Sequence, residues 1–198
     1  MKIKKWLLFG ICLFSLNFAS FPQRRGDFRV SALNEVSFFN SGTLTSYGFS
    51  AEYFIHKNFS LNYQYSLGIN QNKNTYLHYP GAVAAFVEMF RTDSYYFTSG
   101  ANEDGWAYLL FLTFIIPEGV SFHTYPRKWL ELSPFVNPLG CDFNILANNR
   151  STLTFSVGLK IYLKPTEFFF ISPHFGLKHI YTNSEVGNFF GISMGWMF

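Results

Sequence analysis

Cysteine is almost missing from this chain. Of the two present, Cys12 lies among the first twenty residues, which leaves Cys141 alone in the remainder, and one thiol cannot staple a fold internally. Charge is scarce as well: 14% of residues are charged while 21% are aromatic, a balance that a surface facing water tolerates poorly. Beyond the first twenty residues twelve basic side chains meet twelve acidic ones, so the chain offers neither the basic footprint of a nucleic-acid binder nor a strongly basic membrane-surface patch. No run approaches twenty consecutive strongly apolar residues after that point, so spanning a membrane with helices is unsupported. A closed barrel is the other way to satisfy the backbone in hydrocarbon. There is no glycine-rich phosphate loop after a strand and no CxxC pair, and the five histidines do not cluster at metal-ligand spacing. No catalytic, cofactor-binding or metal-ligating residue is assigned on these grounds, and no cofactor is expected.

What is present begins with a leader. Lys2, Lys4 and Lys5 precede an apolar run from Leu7 to Phe18, and Ala19 and Ser20 are small; residues 1–20 read as a cleaved secretory signal peptide. Only a short apolar stretch precedes Cys12, which argues against lipoprotein processing there. Residues 21–198 read as one domain.

The clearest stretch in that domain is Phe59 to Asn70. Phe59, Leu61, Tyr63, Tyr65, Leu67 and Ile69 alternate with Ser60, Asn62, Gln64, Ser66, Gly68 and Asn70, which sets a broad apolar face against a small, uncharged polar one. Its length suits a tilted strand crossing a bilayer. Small polar residues suit the lumen of a narrow barrel, and the apolar face suits lipid. A second such ribbon runs from Thr152 to Leu163. Strands are also expected over Phe28–Phe39, Tyr47–Ile55, Pro134–Ile145 (with prolines that suggest a bulge), Phe169–Lys178 and Asn188–Phe198.

The last of these places Phe190, Ile192, Met194, Trp196 and Phe198 on one face and Gly191, Ser193 and Gly195 on the other, and ends on an aromatic residue. In this it resembles the small bacterial outer-membrane β-barrels of Gram-negative cells, the outer-membrane protein A and X class. Gly191, Met194, Trp196 and Phe198 match that family's terminal pattern, while Phe189 departs from it. The resemblance implies an all-β, antiparallel up-and-down transmembrane barrel in the cell outer membrane, in contact with outer-membrane lipid and lipopolysaccharide, and recognised by the barrel-assembly machinery through its last strand.

Counting ribbons gives about eight strands, with ten as the alternative. An even number puts both ends of the barrel at one rim. Turns at His56–Asn58, Pro117–Gly119 and Lys164–Glu167 then share that rim, and a long loop, 71–105, occupies the other. Within that loop Val83, Phe86, Val87 and Phe90 recur at helical spacing, so it is expected to carry a short helix and to be the place for an extracellular ligand. Trp106 to Ile116 is nearly continuously apolar and breaks the alternation.

Strand phase sends Glu52, Asp142, Lys160 and Lys178 into the lumen, with Gln64 and His174 available to join them, as a plug of ion pairs. The stretch HIYTN, His179 to Asn183, invites comparison with the outer-membrane lipid A deacylases, which carry a His-x-Ser-Asn motif near their last strands. Here Tyr181 stands where the serine nucleophile would be. The expected function is a non-enzymatic barrel of structural or surface-interaction type; a small solute or ion pore and a lipid A deacylase-like esterase are the alternatives.

Overall fold

The computed structural model describes residues 26–81, 115–145, 151–182 and 184–198. The leader 1–20, the helix expected within 71–105, most of the apolar run from Trp106, residues 146–150 and Asn183 lie outside them.

The described chain forms ten strands: β1 (Phe28–Phe39), β2 (Gly42–His56), β3 (Phe59–Asn70), β4 (Thr75–Pro80), β5 (Gly119–Phe122), β6 (Thr124–Arg127), β7 (Leu130–Asn144), β8 (Ser151–Leu163), β9 (Phe169–Ile180) and β10 (Glu185–Met197). All pairings are antiparallel between neighbours, and β1 pairs β10 from Arg29↔Met197 to Phe38↔Asn188, closing the sheet on itself. Eight staves make the wall. β4 and β5 are two halves of the fourth stave, since β4 pairs the Ser66–Ile69 end of β3 and β5 its Phe59–Asn62 end. β6 is a short extension along β7.

The alternation seen in the sequence holds along most staves. Phe190, Ile192, Met194 and Trp196 of β10 are exposed while Phe189, Ser193 and Met197 are buried. This polarity is inside out for a protein in water: the buried set includes Arg29, Glu35, Glu52, Glu131 and Lys178, and the exposed set is dominated by Phe, Tyr, Leu and Ile. Such a wall suits a solvent of hydrocarbon. Register shifts once near the end of β2, between Phe54 and His56, and again inside β7. Asn137 faces Ser156 but Gly140 faces Thr154, a bulge of one extra residue, so Phe135 turns inward instead of sharing the outward side with Cys141 and Phe143.

Termini of the barrel meet at what we call the near rim, where Phe28 and Phe198 exchange backbone hydrogen bonds of 3.0 and 2.8 Å. The long loop expected at the far rim begins differently. Gln71 to Asn74 is a tight turn, and Thr75–Pro80 returns at once as β4. Pro117–Gly119, expected as a near-rim turn, instead leads the chain back into the middle of the wall. The near-rim turn of that hairpin is Lys128–Trp129.

Candidate functional site

The lumen is filled by charged side chains in two layers. Near-rim residues converge on Arg29, which β1 sends inward between the outward Phe28 and Val30. Its guanidinium forks onto Glu131 of β7, donating to Oε1 at 2.8 Å and Oε2 at 2.7 Å, and donates to Glu52 of β2 at 3.2 Å. Glu52 also accepts from Lys160 and from the Tyr162 hydroxyl, each at 2.7 Å. Glu131 further holds His123 Nδ1 at 2.6 Å and the Lys164 ammonium. Three aromatic rings surround the guanidinium, with Tyr162 at 4.3 Å and Phe54 at 4.7 Å from its carbon. Removing one ion from such a buried set leaves a charge without compensation, so its members hold one another in place.

The second layer lies toward the far rim. His78 of β4 places Nδ1 2.5 Å from Asp142 and Nε2 3.3 Å from Glu118. Lys178 of β9 reaches the other oxygen of Asp142 at 3.1 Å, and His174 stands 3.4 Å from Glu35. Between the layers lies a cavity of about 20 Å³ lined in part by Lys160, His174 and Glu118, room for about one water. Above the second layer the far rim opens into a polar cup of about 260 Å³, walled by Ser41, Thr43, Asn70, Tyr76 and Glu185 and floored in part by Asp142. Glu185 is fixed there by the Ser41 backbone N–H at 2.6 Å and the Ser41 hydroxyl at 2.8 Å.

Glu52 with Lys160, and Asp142 with Lys178, are therefore brought together as the alternation implied, and Gln64 and His174 line the same lumen. Arg29 and Glu35 were readable from the phase of Phe28, Val30 and Ala32. His78, Glu118 and His123 gave no such signal, because His78 lies in a six-residue strand and Glu118 and His123 flank the four-residue β5, all too short to establish a phase. His179 pairs with Phe155 and Val186, which puts it on the outer face, edge-on to the ring of Tyr181 at 5.1 Å.

No family model matches this chain, and no curated protein matches it. Among solved structures, the N-terminal β-barrel domain of Pseudomonas aeruginosa OprF aligns over 89% of this chain and 100% of that domain, at 14% identity and a TM-score of 0.53. The fold is that of a small outer-membrane β-barrel. Ail, the attachment invasion locus protein of Yersinia pestis, aligns over 88% of this barrel and 99% of its own chain at 8% identity and a TM-score of 0.47. A de novo designed transmembrane β-barrel aligns over the same shares at 14% identity and 0.44. The comparison with OprF carries the fold, and the fold alone.

Proposed function

We propose that this protein is a structural, non-conducting barrel of the outer membrane, with its near rim toward the periplasm, and that it is not an enzyme. The observation that carries the reading is the Arg29 cluster. A buried guanidinium tied to Glu131 and Glu52 across the lumen, with Lys160 and Lys164 completing the set, fills the near-rim half with paired side chains and so supports a closed lumen. The outward apolar band is then the surface met by outer-membrane lipid and lipopolysaccharide, and β10 the strand offered to the barrel-assembly machinery. A surface ligand would meet the polar cup at the far rim, beside the tight turn of Gln71 to Asn74. Purified protein in planar bilayers should stay silent at concentrations where a porin gives steps; reproducible unitary conductance would replace this reading with the pore.

The pore is the second reading, and the cup favours it, because a polar mouth of about 260 Å³ leads down to Asp142. For the esterase, the geometry asks for a nucleophilic hydroxyl beside His179, and the ring that meets it edge-on there belongs to Tyr181. Mass spectrometry of lipid A from cells with and without the protein tests it: the acyl count should not change, and loss of one chain would install the esterase.

A further inference from the structure

The fourth stave is complete in register although its chain is interrupted. Continuing the β3–β4 pairing one residue at a time places Tyr79, Pro80 and Gly81 against Tyr65, Gln64 and Tyr63, and β5 takes over at Gly119↔Asn62 with no position skipped. The bulge on β7 stitches both halves: Gly81 N–H donates to the Leu139 carbonyl at 2.7 Å, and Leu139 N–H donates to the Glu118 carbonyl at 3.3 Å. A long segment therefore leaves the wall after Gly81 and re-enters before Gly119, four residues above the near-rim end of β5. At about 2.5 Å of height per tilted residue this is roughly 10 Å into the wall.

The segment has two sides to choose from. Inside, the charged layers and a cavity of about 20 Å³ leave it no room. Outside, Tyr63 stands on the lipid face, and its hydroxyl donates to the carbonyl of Ile115 at 3.3 Å. A second sign comes from Cys141. Its register opposite Tyr79 and Leu153 puts it on the outer face, yet it has no exposed surface, whereas outward Val157, Phe175 and Phe190 are 38%, 46% and 58% exposed. Irregular backbone at membrane depth is tolerated only where protein covers it. The sequence fits such a course: Trp106–Ile116 is almost wholly apolar, residues 82–90 carry one charge, and Arg91, Asp93, Glu103 and Asp104 gather in the middle.

We propose that the outer wall around this break, from Tyr63 on β3 across the fourth stave to Cys141 on β7, is the docking surface for residues 82–114 of the same chain, within the membrane. The inference rests on the membrane reading above. Site-directed spin labelling tests both separately. Single cysteines at 107–114, at Tyr79 and at Val157, in a Cys12→Ser, Cys141→Ser background, would be labelled in the full chain and reconstituted in phosphatidylcholine/phosphatidylglycerol vesicles. Collisions with oxygen report lipid, and collisions with a nickel chelate report water. The label at Val157 should be oxygen-accessible and nickel-inaccessible; nickel access there overturns the membrane reading itself. With Val157 in lipid, 107–114 should exclude nickel, and Tyr79 should collide with oxygen at least twofold less than Val157. Nickel access along 107–114, or equal oxygen access at Tyr79 and Val157, overturns the docking. Protection of Tyr79 that vanishes on tenfold dilution with lipid assigns the cover to a second copy and overturns it too. Deleting 82–118 joins Gly81 to Gly119 as an eleven-residue stave in register and should raise oxygen access at Tyr79 to the level of Val157; if that deletion does not fold, the full-chain scan decides.

Discussion

Arg29 is the residue on which most of the lumen leans. Its burial is tolerable because two carboxylates and three rings replace water around it, and the same crowding makes it irreplaceable by a neutral side chain alone. Arg29→Met should cost about 3–5 kcal/mol, since Glu131 and Glu52 keep their burial and lose their fork. The urea midpoint of the heat-modifiable gel shift checks this. Adding Glu131→Gln to Arg29→Met should recover part of the loss, and a double variant worse than the single would show that the carboxylate is held by His123 and Lys164 without Arg29. Single residues were only partly legible beforehand. The four lumen charges read from phase, Glu52, Asp142, Lys160 and Lys178, sit within long alternating ribbons. Glu118 follows Pro117 at the point of re-entry and His78 lies in a six-residue strand, so neither had neighbours enough to declare a side.

Among the elements, long strands were legible and the split one was not. A ribbon of twelve residues repeats its period often enough to be read from one end to the other, as β3 and β8 show. β5 has four residues, and its place is fixed by partners on β3 and β7 far away in sequence. Its first residue is the sensitive one: a Cβ at Gly119 would fall on the Val136 carbonyl and the Asn137 backbone, which are ladder atoms and cannot swing aside. Gly119→Ala should therefore abolish the heat-modifiable folded form or lower its yield severalfold, while Ser121→Ala, two residues further on, should leave it within about 2 kcal/mol of the parent, the scale of one buried hydrogen bond. The connection between β8 and β9 predicts a pH effect. Burial holds the Lys164 ammonium down at about 8, helped by nearby Arg29 and opposed by Glu131. The unfolded chain, titrating near 10.5, then binds this proton more tightly than the folded one. Stability should gain as pH rises from about 8 to about 10.5, and that gain is absent below 8. In Lys164→Met the urea midpoint should rise less over this window than in the parent.

At the scale of the whole molecule, closure through β1 and β10 removes every free edge along the main wall. Because Phe28 and Phe198 are hydrogen-bonded neighbours, joining the barrel ends by a short linker and opening the chain between residues 146 and 150 should give a permutant that still shows the heat-modifiable shift; its absence would mean that the order in which staves are added matters more than their final contacts. Order matters most at the split stave. A wall laid down hairpin by hairpin reaches the end of β4 with 38 residues still to pass before its next piece begins. Until β5 arrives, β3 and β7 have nothing between them at the near rim. Gathering so long an intervening chain costs entropy that grows with the logarithm of its length, and four residues return little for it. The seam beside β5 should thus be the last to set and the first to part, so that amide exchange at Val120 and Ser121 runs ahead of β8 and β9, and a barrel caught half-made would gape at that one place.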